Sequence, residues 1–255
     1  KSGIPYRIFP HWLERRIPHR RSIKGLVDHA RKRRWRTLHA FDLPAVNWTQ
    51  VAARRLGLPA VTTICGGVGP VAFPPHYPVI VYSKELRDVL RRLGCSEDEI
   101  VVEMGRMPLA SLPKAEDLDE LLDRLGVQED EKVVMMGAHL RTSTWAALKC
   151  VMEAVASLVG EGLAVHLVHF GKPQHPGVGE KAREFEARLN GLLRRPFLHL
   201  CGYVPNAQGY FHGAHLVAGT GRAAFESMVL GKPVVFVGPY GFAGVMNEEG
   251  LEDVA

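Results

Sequence analysis

Leu216-Val217-Ala218-Gly219-Thr220-Gly221-Arg222-Ala223-Ala224-Phe225-Glu226-Ser227-Met228-Val229-Leu230-Gly231-Lys232-Pro233-Val234-Val235-Phe236-Val237 changes its hydrophobic period twice within 22 residues. A short apolar run ends in glycine, a segment with apolar residues at helical period follows, and Gly231-Lys232-Pro233 breaks it before a valine-rich run. The pattern predicts a strand over 216–218, a helix over 222–230 and a strand over 233–237, a βαβ unit. Glycines at the turn from strand to helix allow close backbone approach, and the helix start that follows favours an anion.

The same alternation fills the second half: strand 132–136, loop 137–143, helix 144–159, strand 164–170, helix 180–193, strand 197–200 and a short helix 207–212. An acidic helix over 116–125 precedes it. The front half offers a helical face of Ile23, Leu26, Val27 and Ala30, then strand 37–40, helix 46–56 stopped at Gly57, and strand 60–64. A glycine-rich loop follows, then strand 79–82, helix 84–93 and strand 100–103. Residues 106–115, with Pro108 and Pro113, read as a linker, which gives domains at 1–105 and 116–255. Strands alternating with helices at this spacing predict an α/β fold, with two Rossmann-like, doubly wound parallel-sheet domains. Two such domains need over ~300 residues, so at 255 the N-terminal one is expected to be incomplete.

The composition, 46% hydrophobic and 23% charged, is that of a globular protein and excludes a disordered, collagenous or coiled-coil chain. No apolar run reaches the ~18 residues a membrane helix needs, and the first twenty residues lack the pattern of a signal peptide. Cysteines 65, 95, 150 and 201 form no CxxC, so neither a disulfide framework nor a zinc knuckle is indicated, and a reducing cytosol is expected. The net charge of +5 is uneven: +9 over residues 1–105 and −4 over the rest. Residues 11–36 interleave Trp12 and Trp35 with Arg15, Arg16, Arg20, Arg21 and Arg31, which favours an anionic partner such as a membrane surface. No recognition motif accompanies the charge, and no nucleic acid is expected.

Ligands of doubly wound sheets bind beyond the carboxyl ends of the strands. Two loops there carry suitable chemistry. In Gly137-Ala138-His139-Leu140-Arg141-Thr142-Ser143, Arg141 suits bidentate phosphate binding, while Thr142 or Ser143 equally suits an ordinary helix cap. In Gly219-Thr220-Gly221-Arg222-Ala223, the GxGxxA string resembles a dinucleotide fingerprint, but the next strand ends Val237-Gly238-Pro239-Tyr240 with no carboxylate for a ribose. That argues against NAD and leaves a phosphate-favouring helix start. Glu226 lies four residues after Arg222, at the spacing of an intrahelical ion pair.

Together these residues resemble glycosyltransferases of the GT-B fold, nearest to family 4. Gly221 to Val235 resembles that family's "GRAALEAMACGKPVV" signature; Gly202-Tyr203-Val204 resembles its "G-y-v" loop, and Val81-Tyr82-Ser83-Lys84-Glu85-Leu86 its "v-S-e-e-l" element. The resemblance implies an active site in a cleft between two domains and a nucleotide diphosphate sugar as donor substrate, with no other cofactor and no metal. It implies that Glu226 accepts from the donor ribose, that the amides of Gly219, Thr220, Gly221 and Arg222 face the diphosphate with Ala223 as a further nucleotide-sugar contact, and that Tyr203 and Val204 flank the base. Arg141, Arg222 and Glu226 are the catalytic candidates; Gly137, His139, Thr142, Gly202, Cys65 and Gly66 complete the nucleotide-sugar contacts. Two positions depart from the family pattern: Ala218 stands where an acid touches the donor sugar, and Cys65 replaces a histidine beside the donor. His39 matches a family strand end and reads as structural.

The expected activity is transfer of a sugar to an acceptor hydroxyl, on a lipid-linked or cell-envelope glycan, with retention of configuration, by a cytoplasmic or membrane-peripheral enzyme. The alternatives are a nucleotide-sugar epimerase of the same architecture and a catalytically weak nucleotide-sugar binding or scaffold protein. Other constellations have plainer readings. Asp117-Leu118-Asp119 lies on an acidic helix face, His212 and His215 lack a third ligand, His166 and His169 point to opposite sides of a strand, and no GxSxG is present.

Overall fold

A computed structural model describes residues 20–65, 73, 77–103, 114–238 and 241–246. Gly66 and the rest of its glycine-rich loop, Trp12 with the basic residues up to 19, and the 106–113 part of the expected linker lie outside the described residues. The chain divides into two compact units, Lys1–Arg106 and Met107–Ala255.

The N-terminal unit contains α1 (Arg20–Lys32), β1 (Leu38–Phe41), α2 (Leu43–Leu56), β2 (Ala60–Ile64), β3 (Val79–Val81), α3 (Lys84–Arg92) and β4 (Ile100–Val102). Its strands pair in parallel in the order β1-β2-β3-β4. Gly57 ends α2 in the left-handed conformation, at φ 65°, which glycine adopts without steric cost. On α1, Ile23, Val27 and Ala30 are buried, and Ile23 and Val27 pack with Leu38, Ala52 and Ala53. The apolar stripe of this helix is therefore occupied inside its own unit, while Arg20, Arg21, Lys24, Arg31 and Lys32 are exposed. Any membrane contact of α1 is then electrostatic rather than insertion of an apolar face.

The C-terminal unit holds α4 (Leu118–Leu125), β5 (Lys132–Gly137), α5 (Thr142–Gly160), β6 (Val165–Phe170), α6 (Pro176–Leu192), β7 (Leu198–Gly202), a 3-10 helix (Ala207–Gly213), β8 (Leu216–Gly219), α7 (Gly221–Val229), β9 (Val234–Gly238) and β10 (Gly241–Val245). The spatial order β10-β9-β8-β5-β6-β7 reverses between β5 and β8, which makes the sheet doubly wound. Every pairing is parallel except β9 with β10. Alternation of side chains feeds two cores. Met136 and Leu167 join Leu148, Met152 and Phe197 on one face, whereas Met135, Val168 and Phe170 join Phe211 and Val217 on the other. Each fully buried Leu or Met contributes about 1.5–3 kcal/mol. All six residues of β6 are buried, as a central parallel strand requires.

Several boundaries differ from the sequence reading for local reasons. Helix α6 starts at Pro176 rather than 180, because proline is pre-set for a first helical turn and the buried Gly179 fits against Pro173. Helix α5 starts at Thr142 rather than 144, so neither Thr142 nor Ser143 is its cap. Thr144 does that work: its Oγ1 accepts from the Arg141 N–H at 2.9 Å and donates to the His139 carbonyl at 2.7 Å. Asp117 caps α4 by accepting from the Glu120 N–H at 3.2 Å, a structural role for the Asp117-Leu118-Asp119 string.

Candidate functional site

Register places Met136 of β5 opposite Ala218 of β8, so the loops that begin at Gly137 and Gly219 leave the sheet side by side where the winding reverses. That is the crevice where open α/β sheets bind ligands. Beyond the carboxyl ends of β5, β6 and β7 lies a cleft of about 300 Å³ lined by Gly137, Ala138, His139, Phe170, Gly171, Lys172, Tyr203, Val204, Asn206, Ala207, Gln208, Phe211 and, from α7, Ala223. The lining combines apolar side chains such as Phe170, Val204 and Phe211 with the side-chain amides of Asn206 and Gln208. Tyr203 leaves 68% of its surface exposed at the rim, a ring face open to stacking.

The walls are tied together by main-chain bonds. Ala138 N–H donates to the Phe170 carbonyl at 3.0 Å, Leu140 N–H to Lys172 at 3.1 Å, Gln174 N–H to Leu140 at 2.9 Å and Gly171 N–H to Gly202 at 2.7 Å. Beneath them, buried His169 places Nε2 at 3.0 Å from the Ala138 carbonyl. Burial holds the pKa of His169 down to about 4, so the ring is neutral at pH 7 and its Nε2–H donates. Two glycines leave room for this closeness. A β-carbon on Gly137 would lie 2.8 Å from Cζ of Phe211, and one on Gly171 only 1.8 Å from the Ala138 carbonyl oxygen. Gly171→Ala should therefore open the ladder between the two loops and lower stability by about 1–3 kcal/mol. Chemical denaturation reads this out, and an unchanged midpoint would refute the packing argument.

Thr220 and Gly221 turn β8 into α7, with Gly221 at φ 57°. Three residues after the lining residue Ala223, on the same helical face, Glu226 is 1% exposed. Its Oε1 accepts from Nε of Arg222 at 2.6 Å, whereas Arg222 itself is 77% exposed. Among the described residues, Glu226 Oε2 is buried without a hydrogen-bond partner. Nearly all buried carboxylate oxygens have one, so this atom marks a place for an external donor.

The structure thus brings Gly137, His139, Tyr203, Val204 and Ala223 to one cleft, with Gly202 bonded into its wall. Arg141 and Thr142 are exposed at the start of α5 and are not part of the lining; the backbone of Arg141 is used in the Thr144 cap. Gly219, Thr220, Gly221, Arg222 and Glu226 belong to the adjoining β8–α7 turn. Cys65 belongs to the N-terminal unit. Its N–H donates to Oδ1 of Asp42 at 3.1 Å, and desolvation together with the Asp42 carboxylate pushes its thiol above the usual range, which disfavours a nucleophilic thiolate. His39 is held by a 2.7 Å contact from Nε2 to Thr63 Oγ1 and stacks on Phe41. Among the described residues no three His, Cys, Asp or Glu side chains converge as a metal site, and no helix is long and apolar enough to cross a membrane. Lys172 and Gln208 also line the cleft and belong to no motif of the sequence. The available signal was Lys172's place just past the end of β6, in the third loop on the ligand side of the sheet.

No family model and no curated protein matches this chain. Solved structures do. Anabaena HepE in complex with UDP is 19% identical with a TM-score of 0.68, over 85% of this chain and 63% of that one. HepE has also been solved with UDP-glucose. A glycosyltransferase from Rickettsia africae is 17% identical at 0.67, over 84% and 60% of the two chains. Sucrose-phosphate synthase from Thermosynechococcus elongatus is 14% identical at 0.63, over 85% and 60%. Likeness at these identities establishes the fold, the GT-B class of α/β structure. The chain spans about three fifths of the length of these structures.

Proposed function

We propose that this protein is a glycosyltransferase that moves a sugar from a nucleoside diphosphate to an acceptor hydroxyl. The observation that carries the reading is the buried, half-satisfied Glu226 carboxylate on the helix that lines the cleft, a group suited to accept from the hydroxyls of a ribose. The complexes of HepE with UDP and UDP-glucose support the same ligand class here. In this reading Tyr203 and Val204 flank the base, and the amides from Gly219 to Arg222 stabilise charge on the leaving diphosphate as preorganised donors. Arg141, outside the lining, is not assigned a phosphate. The family 4 resemblance adds transfer without a metal ion and with retention at the anomeric carbon. A lipid-linked or cell-envelope acceptor, met at the cytoplasmic face of a membrane, suits the exposed cations of α1.

A second reading, a nucleotide-sugar binding or scaffold protein, is favoured by one observation. Ala218, where the family pattern has its sugar-contacting acid, is 1% exposed at the end of β8 and offers no polar group. One experiment separates the two: melting temperature and release of free nucleotide with UDP-, GDP- and ADP-sugars, with and without lipid extract. We expect stabilisation by one nucleotide class and release that depends on the extract. Stabilisation without release selects the binding protein, and stabilisation by none sinks both readings.

A further inference from the structure

The cleft needs a cation if it is to hold a diphosphate, and the arginines singled out by sequence are poorly placed for it. The Arg141 side chain is not part of the lining, and Arg222 commits Nε to Glu226. Among the described lining residues there is no Asp or Glu, and one permanent cation, Lys172. It is an exposed side chain without an ion pair to any described carboxylate, set on a stretch of backbone that cannot easily shift. Its carbonyl accepts from Leu140, Pro173 after it bridges to Leu140, and Gly171 before it abuts the Ala138 carbonyl so closely that no side chain fits. A flexible four-carbon stem with an ammonium at its end therefore rises from a fixed anchor in a cleft whose described lining holds no carboxylate.

We propose that Lys172 is the phosphate-binding residue of this site, meeting the diphosphate of the nucleotide from the end of β6 rather than from the β5–α5 loop. The inference rests on the functional reading above and adds the residue that reads the anion. An ammonium to phosphate contact is a charge-assisted hydrogen bond, so its loss costs about tenfold or more in affinity. The nucleoside part of the ligand, which carries no charge, does not depend on it.

The test is calorimetric titration of the full chain with UDP, GDP and ADP and with each corresponding nucleoside. Four proteins are compared: wild type, Lys172→Gln, Lys172→Arg, and Lys181→Gln as a control with the same charge change on α6. The expected result is that Lys172→Gln binds the preferred diphosphate about tenfold more weakly and its nucleoside unchanged, with a smaller response to salt. Lys172→Arg should recover most of the loss, and Lys181→Gln should behave as wild type. If Lys172→Gln retains wild-type affinity for the diphosphate, or loses nucleoside and diphosphate alike, the assignment of Lys172 is overturned while the functional reading stands. If the wild type binds none of the three diphosphates, the functional reading falls and Lys172 with it. Melting temperatures of the variants exclude a folding defect as the cause.

Discussion

Acidification from pH 7 to pH 5 should strip several kcal/mol of stability from the C-terminal unit. Three of its imidazoles are buried in β6 and β7: His166 and His169 on opposite sides of one strand, and His199 on the next. Burial depresses His169 to about 4, with the Ala138 carbonyl opposing. His199 is also brought down to about 4, by burial and then by His166, with Glu131 opposing, and His166 is lowered by burial against the pull of Glu131. The groups that face this pair are close. His166 Nε2 lies 2.9 Å from Glu131 Oε2, its Nδ1 lies 3.0 Å from His199 Nε2, and Arg195 donates to Glu131 Oε1 at 2.6 Å. With Glu131 ionised, His166 can present Nε2–H to it while Nδ1 accepts from His199, and the Arg195 guanidinium, 3.1 Å from His166 Nε2, opposes a further positive charge on that ring.

The sign follows from which state takes up protons. An unfolded histidine titrates near 6.5 and the folded His169 near 4, so its contribution is complete above 6.5 and falls as pH drops through that window. At 1.4 kcal/mol per unit, His169 alone forfeits about 2 kcal/mol by pH 5 and about 3 by pH 4. His199 and His166 act in the same direction. Glu131, held low by the Gln128 N–H, Arg195 and His166 despite its own burial, adds a loss at still lower pH. Against a usual total of 5–15 kcal/mol this is a large fraction. Circular-dichroism melts at pH 7, 6 and 5 should show a falling midpoint, and His169→Asn should flatten that fall. A midpoint independent of pH between 7 and 5 would sink the argument.

The parts of this molecule that were legible in sequence are those where one local rule and the global fold agree. Strand β2 has the predicted ends because Gly57-Leu58-Pro59 and Cys65-Gly66 bracket five β-forming or small residues. The β8–α7–β9 unit is visible because glycine punctuates it on both sides. β10 escaped because Gly241-Phe242-Ala243-Gly244-Val245 has neither alternation nor β-branched density; it exists by pairing antiparallel with β9 across a bulge. The site divides along the same line. Glycines and the glutamate of the β8–α7 turn announce themselves by spacing. Lys172 does not, since a lysine between glycine and proline looks like any loop until the ladder with Leu140 fixes where it stands. Arg141 is the opposite case. A cation at a helix start looks like a phosphate ligand, yet its N–H serves the Thr144 cap and its side chain lies outside the cleft lining.

Replacing Glu226 should weaken nucleotide binding by about one order of magnitude in Glu226→Ala and by less in Glu226→Gln, at roughly 1.5 kcal/mol for the charge-assisted bond to Oε2 that is lost. The two oxygens of this one carboxylate are unequally satisfied. Oε1 is satisfied by Arg222 at 2.6 Å, while Oε2 is buried and unpaired among the described residues, an arrangement that costs about 1–3 kcal/mol if nothing ever meets it. A ligand hydroxyl that donates to Oε2 removes that cost on binding, so the protein carries part of the binding free energy as an unmet need. Glutamine keeps the shape but offers one acceptor and one donor in place of two acceptors; alanine removes both and frees Arg222 to swing into solvent. The ribose assignment is separable from a general effect on the helix. The wild type should bind a 2′-deoxy nucleotide about tenfold more weakly than its ribonucleotide, whereas Glu226→Ala should hardly distinguish the two. Equal discrimination in both proteins would place the sugar elsewhere. Ser227, bonded through Oγ to the Ala223 carbonyl at 2.7 Å and fully buried, secures this turn of α7 independently of the glutamate, so the variants should retain the helix that makes the comparison meaningful.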